Sequence, residues 1–528
     1  MLHTPSATRG MVTSPHHLAS QSGLDILKAG GNAVEACVAT AATLAVVYPH
    51  MTGIGGDGFW LVREPDGTLY SINACGSAGQ KVDRVLYAEA GHDTIPWRGP
   101  LAAITTAGTV SGWQSALERT GQTLPLADLL REAIHYAETG VVVTKGGAEI
   151  ARSKDDELKD VFGYADIFRP NKRPLQEGDL LKQPRLAETL HRLAENGLAD
   201  FYRGALAADI VRDLAAAGSP LSMEDLEAHE ADLLTPLQTQ IRGAKLYNTA
   251  PPTQGLVSLL ILALFDRLDA DSVDSFEHVH GLVEATKQAF LLYKKIGLGD
   301  RAFMKADPQA ILDDEEQLAR LAEAISPDTA LPWPHIGELG DTTWFGAADN
   351  EGRMVSCIQS TYFEFGSGIV LPTTGITWQN RGASFTLAEN GWNTLAPGRK
   401  PFHTLNPALA ELEDGRVLAY GTMGGEGQPQ TQAAIFTRHV RFGVPLQEAV
   451  STPRWLLGRT WGDNSVTLKL EDRFSPQLYE LLRAAGHEVE VCPAFTSMMG
   501  HAGAISRHAD GRLEGASDPR SDGGVAAW

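Results

Sequence analysis

The sequence predicts an α+β fold in which antiparallel sheets are covered by helices. Three observations carry this. Helical periods fill most of the chain from about residue 124 to residue 330. Strands in short-turned hairpins dominate after residue 331. Helices then return at Pro445–Ser451 and Pro476–Ala485.

In chain order, Ser14-Pro15 opens a first helix with Leu24, Ile26, Leu27 and Ala29 on its apolar side, and Gly30-Gly31 stops it. Asn32 caps a second helix running through Val47, so rich in Ala and Val that it reads as buried all round. The glycine-dense turn Gly53-Ile54-Gly55-Gly56-Asp57-Gly58 leads into a strand at Phe59–Arg63, and Pro65-Asp66-Gly67 turns it back along Thr68–Asn73. Helices follow at Leu186–Asn196, Ala205–Ala217 and His278–Ile296. The later hairpins pair Thr343–Ala348 with Arg353–Ser360, Ala408–Leu412 with Val417–Gly421, and Ala504–His508 with Leu513–Ala516.

Composition excludes several classes of function. The 528 residues are 43% apolar, enough for one large layered unit, and no low-complexity linker divides them. A formal net charge of −21 repels phosphate backbones, so nucleic acid is not expected as a partner. The most apolar runs, Val38–Val47 and Leu256–Phe265, are too short to span a bilayer, and Met1–Met11 has no apolar signal core. A cytoplasmic protein away from the membrane is the expectation. Cys37, Cys75, Cys357 and Cys492 show no metal-ligand or redox spacing and read as small buried hydrophobes. The glycines at 53–58 lack a following Lys-Ser/Thr and precede a strand rather than a helix, so they are no phosphate loop. No metal and no organic cofactor is expected.

The chemistry centres on Gly340-Asp341-Thr342-Thr343-Trp344-Phe345, where a loop around Pro332 and Pro334 gives way to a strand. A threonine opening a strand is ordinary by itself. Other stretches change its weight: Phe365-Gly366-Ser367-Gly368-Ile369-Val370, Met423-Gly424-Gly425 and Gly515-Ala516-Ser517-Asp518-Pro519-Arg520 after it. Before it stand Gly31-Asn32-Ala33-Val34-Glu35-Ala36, Gly55-Gly56-Asp57-Gly58, Gly108-Thr109-Val110-Ser111-Gly112, Pro251-Pro252-Thr253 and Leu298-Gly299-Asp300. Together these resemble the γ-glutamyltransferase family of N-terminal-nucleophile hydrolases over nearly the whole chain.

The resemblance implies a four-layer αββα sandwich with two central antiparallel sheets. It implies cleavage between Asp341 and Thr342 into a large subunit, 1–341, and a small subunit, 342–528, both building one domain. Thr342 would then be the nucleophile. A threonine hydroxyl needs a base beside it, and an N-terminal threonine brings its own, an α-amino group with an ordinary pKa near ~8. The same resemblance places Gly424 and Gly425 as backbone donors to the oxyanion, and Ser360 where the family has a threonine contacting the nucleophile.

Other positions depart from the family. Asn73-Ala74-Cys75-Gly76-Ser77-Ala78-Gly79 lacks the arginine that holds a γ-glutamyl carboxylate; Ser384 replaces the aspartate that holds its amino group; His403-Thr404 replace the paired serines. An ammonium bound there would be left without its carboxylate partner, at high cost. Arg381 is instead a new cation, and a planar guanidinium suits a substrate carboxylate. These changes resemble the oxamate amidohydrolase branch of the family, which implies oxamate cleaved to oxalate and ammonia. The site residues expected are Thr342, Ser360, Gly424 and Gly425 for catalysis, and Arg381, Ser384, His403 and Thr404 for substrate, with Arg381 open to a purely structural role. Two alternatives stand beside this: a γ-glutamyl hydrolase, transferase or small acyl-amide acylase, and an uncleaved relative that only binds a ligand. Association of processed heterodimers into a homo-oligomer is compatible with the sequence.

Overall fold

Two seven-stranded sheets lie face to face, and all strand pairings within them are antiparallel. The computed structural model describes residues 3–334, 340–458 and 465–528; the side chain of Asp341 lies outside the described residues. In spatial order the first sheet runs Gly524–Ala527, Gly10–Ser14, Asp341–Asp349, Met354–Tyr362, Asp57–Arg63, Leu69–Ala74 and Asp232–Leu234. The second runs Ser6–Ala7, Leu513–Ser517, Ala502–Arg507, Val417–Thr422, Ala408–Leu412, Ala244–Asn248 and Leu237–Ile241. Each sheet thus takes strands from both sides of Thr342.

Three apolar layers hold the stack together. Helices His17–Lys28, Ala33–Val47, Leu126–Thr139 and Pro184–Asn196 pack with the first sheet. Met11, Leu61 and Ala348 of the first sheet meet Tyr247, Leu409, Ala419 and Ile505 of the second. Helices Gly255–Phe265, Phe276–Ile296 and Gly427–Phe436 cover the far side of the second sheet. The order is αββα, as expected. The Ala33–Val47 helix is buried along its whole length, and Asn32 caps it in a reciprocal box with Glu35. Gly255–Phe265, read as a buried helix, is one. Cys37, Cys75, Cys357 and Cys492 are all buried. Among the described residues no helix is long and apolar enough to cross a membrane.

Two sequence expectations need correction. Ser14 does not open the first helix but ends the strand Gly10–Ser14, which pairs with residues more than 300 positions away; the helix begins at His17, capped by the His16 side chain. The span read as mostly helical contains a hairpin, Leu237–Ile241 with Ala244–Asn248, that forms one edge of the second sheet. A smaller sheet of Trp455–Leu457, Leu468–Glu471 and Val489–Cys492 was likewise not expected.

Candidate active site

Thr342 lies in the third strand of the first sheet and is 1% exposed. Asp341 pairs with Tyr362 and Thr343 with Gln359, so the register shifts across Thr342 and the chain opposite it, Ser360-Thr361, carries an extra residue. Such a bulge re-aims a side chain and interrupts the ladder. Gly56 makes room for it, because a Cβ at that position would lie 2.2 Å from the Ser360 carbonyl oxygen. The Ser360 hydroxyl accepts the Tyr362 N–H at 2.8 Å, holding the bulge in shape.

Trp344, two residues beyond Thr342, anchors this strand against the second sheet. Its indole fills a notch between Gly421 and Gly503, where added Cβ atoms would come within 2.1 and 2.4 Å of the ring. The indole N–H donates to the Ser356 hydroxyl at 2.9 Å. Three residues past Gly421 the chain turns through Gly424 and Gly425, with φ of 119° and 55°, conformations that favour glycine. The Gln254 amide then ties two loops together, donating to the Thr404 carbonyl at 2.7 Å and the Gly425 carbonyl at 2.8 Å.

Of the expected substrate residues, Thr404 and Arg381 lie nearest to Gly340, the first directly and the second through Tyr362. A Cβ on Gly340 would lie 3.1 Å from the Thr404 hydroxyl and 3.2 Å from the Tyr362 ring. Arg381 is 1% exposed, and its guanidinium carbon sits 3.8 Å from the centre of that same ring. The guanidinium thus lies over the same ring that borders Gly340. Ser384, at the end of the same short 3-10 turn, donates to the Phe402 carbonyl at 3.1 Å and so supports the neighbouring His403-Thr404 loop.

His403 is fully buried with both ring nitrogens engaged, Nδ1 on the Pro401 carbonyl at 2.8 Å and Nε2 on Asp57 at 2.9 Å. Burial, and then the Arg381 charge, push its imidazole down to about 4 against the upward pull of Asp57. At the first residue of its strand, Asp57 also accepts from the Gly76 and Gly108 amides and from Gln379. Where the resemblance places an arginine, the chain is packed too closely for any side chain at Gly76, since a Cβ there would lie 1.7 Å from the Thr106 carbonyl oxygen.

The model of the family described as gamma-glutamyltranspeptidase matches residues 19–528. The chain belongs to that family. It is 52% identical to an oxamate amidohydrolase proenzyme of Klebsiella pneumoniae, covering 99% of both chains, and 42% identical to a glutathione hydrolase-like proenzyme of Bacillus subtilis, covering 98% of both. Among solved structures it is similar to a cephalosporin acylase of Bacillus halodurans, at 33% identity and a TM-score of 0.92 over 100% of this chain and 97% of that one. That likeness bears out the αββα reading.

Sequence reasoning passed over four residues that build the site: Asp57, Gln254, Tyr362 and Gln379. A signal existed only for Asp57, a lone carboxylate inside a run of glycines; the other three act through contacts between distant segments.

Proposed function

We propose that the protein is made as a precursor that breaks its own chain between Asp341 and Thr342, and that Thr342 then hydrolyses a small carboxylate-bearing amide, oxamate foremost. The observation that carries this reading is the placement of Thr342 opposite the Ser360-Thr361 bulge, next to Gly340, which borders both Thr404 and the Tyr362 ring on which Arg381 stacks, with Gln254 tying Thr404 to Gly425. The 52% identity to an oxamate amidohydrolase proenzyme supports it.

In self-cleavage the Thr342 hydroxyl oxygen attacks the Asp341 carbonyl carbon. The C–N bond breaks, the nitrogen keeps its electron pair and takes the hydroxyl proton, and an ester joins Asp341 to Thr342. Water hydrolyses the ester, leaving a carboxylate on Asp341 and a free amine on Thr342. Large subunit 1–341 and small subunit 342–528 stay together because each sheet draws strands from both.

In catalysis the new amine accepts the hydroxyl proton as the oxygen attacks the substrate amide. The Gly424 and Gly425 amides stabilise the oxyanion, a contribution of about 3–4 kcal/mol per donor to the barrier. The amine passes its proton to departing ammonia, and water hydrolyses the acyl-threonine ester to release oxalate. Arg381 holds the substrate carboxylate, with Thr404 beside it. Ser384 and His403 shape this pocket through the loop they support.

The test is oxalate and ammonia release from oxamate, set against γ-glutamyl-p-nitroanilide and a glutaryl amide under the same conditions. A kcat/KM for oxamate well above both is expected. Preference for γ-glutamyl-p-nitroanilide or the glutaryl amide would give the substrate assignment to the rival hydrolases and acylases.

A further inference from the structure

Tyr362 has a φ of 83°, in the left-handed region that bulky side chains avoid. Such a conformation persists only where its surroundings hold it. Here it is held from both sides. The Tyr362 N–H donates to the Ser360 hydroxyl at 2.8 Å, the Phe363 N–H to the Asn380 side-chain oxygen at 3.1 Å, and the Asn380 N–H to the Thr361 carbonyl at 3.2 Å. The turn brings the ring against the scissile segment: a Cβ on Gly340 would lie 3.2 and 3.4 Å from its Cε2 and Cδ2, and 3.1 Å from the Thr404 hydroxyl. Phe363 stacks on the ring at 4.4 Å and 21°, and the Arg381 guanidinium carbon lies 3.8 Å from its centre, so the ring is wedged and cannot swing aside.

The precursor's own chain is a ruler for the acyl subsite. Self-cleavage and amide hydrolysis both pass through an ester on the Thr342 hydroxyl oxygen, so the Asp341 acyl group and a substrate acyl group leave that oxygen along the same path. Outward from the Asp341 carbonyl carbon, the chain passes the Asp341 Cα, the Asp341 nitrogen and the Gly340 carbonyl carbon before it reaches the Gly340 Cα. Oxamate ends at the depth of the Asp341 nitrogen. A γ-glutamyl group brings its α-carbon to Gly340, and its amino and carboxylate branches spread where Tyr362 and Thr404 leave little room even for a Cβ.

We propose that Tyr362 is the specificity-determining residue of the acyl subsite: its ring closes the pocket at the depth of Gly340 and confines the enzyme to acyl groups that are short or stay unbranched there. This rests on the reading of Thr342 as the nucleophile both of its own release and of amide hydrolysis. The glycine at position 340 follows from the same wall, because the precursor's acyl segment must itself thread past the ring.

The test uses the full chain and has two arms. In the first, disappearance of the precursor band is followed for Gly340→Val with and without Tyr362→Asn, since asparagine tolerates a left-handed backbone and takes the ring away. Gly340→Val is expected to slow maturation about tenfold or more by overpacking, and that penalty to shrink about fivefold or more in the Tyr362→Asn background. An equal penalty in both backgrounds would overturn the proposal, as would a Gly340→Val chain that matures at the wild-type rate. Tyr362→Gly, in which the left-handed backbone is unstrained, takes the place of Tyr362→Asn if the latter does not fold. In the second arm, the ratio of kcat/KM for γ-glutamyl-p-nitroanilide to kcat/KM for oxamate is expected to rise about tenfold or more in Tyr362→Asn. A merely structural role would lower both values together, and an unmoved ratio would overturn the proposal. The first arm needs no added substrate, so failure of oxamate as a substrate falls on the substrate assignment while the maturation penalties still decide the role of Tyr362. A wild-type chain that stays intact would take down the self-cleavage reading and this proposal with it.

Discussion

Replacing Gly56 with alanine tests how tightly the bulge opposite Thr342 is set. A Cβ at this position lies 2.2 Å from the Ser360 carbonyl oxygen and 2.8 Å from its carbonyl carbon. Both are backbone atoms in a central strand, so no side chain can swing aside. The strand must yield by about 1 Å, and a displacement of that size at a reacting centre costs ~100-fold in rate. The accompanying overpacking costs about 1–3 kcal/mol of stability, which a chain of this size can absorb and still fold. Gly58, two residues on, is the control: a Cβ there meets nothing closer than 3.6 Å. The assay follows disappearance of the precursor band on a denaturing gel after synthesis. Gly56→Ala is expected to mature about 100-fold more slowly than wild type, and Gly58→Ala at close to the wild-type rate. A folded Gly56→Ala protein that matures at the wild-type rate would refute the link between the bulge and the nucleophile.

Two further perturbations follow from the same geometry. Arg381→Ala removes charge-assisted hydrogen bonds worth about 1.5–3 kcal/mol each, so KM for oxamate should rise by roughly 10- to 150-fold; Arg381→Lys should rescue little, because a lysine cannot reproduce a planar guanidinium stacked on Tyr362. An unchanged KM in initial-rate kinetics would remove Arg381 from the pocket. Acid should destabilise the fold through its buried histidines. Burial pushes His16 and His50 from 6.5 down to about 3 and His501 down to about 4. They are neutral in the folded chain while the unfolded chain protonates them below 6.5, so their contribution is fully present above that pH and is lost as pH falls from 6.5 towards 4. Each loses about 1.4 kcal/mol per pH unit in that window. Thermal unfolding should show Tm falling steeply between pH 6.5 and 4 and flat above it; a Tm unmoved down to pH 4 would contradict the neutral assignments.

Local signals made much of the fold legible. The Asn32 capping box, the turn at Asp414-Gly415 and the long period from His278 to Ile296 each depend on neighbours within a few residues, and each stands where the sequence placed it. Gly10–Ser14 did not declare itself, because its partners are more than 300 positions away and Pro15 beside it reads as a helix start. The Leu237–Ile241 hairpin was lost within a helical stretch although its exposure alternates strictly. At the site, the motif resemblance led to Thr342, Gly424 and Gly425, and the departures from it led to Arg381. What it could not convey is the wiring: Asp57 meets Gln379 and His403 only after folding has crossed more than 300 residues. The Trp344 notch is of the same kind, since Gly421 and Gly503 acquire meaning only once two sheets bring them to one indole.

The central claim is that Thr342 is the nucleophile of its own release. Mass spectrometry of the purified protein under denaturing conditions, for wild type and for Thr342→Ala, tests it most directly. The wild type should give two polypeptides, one of them beginning at Thr342, and Thr342→Ala a single intact chain. An intact wild-type chain after prolonged incubation, or a Thr342→Ala chain cut at the same bond, would contradict the account.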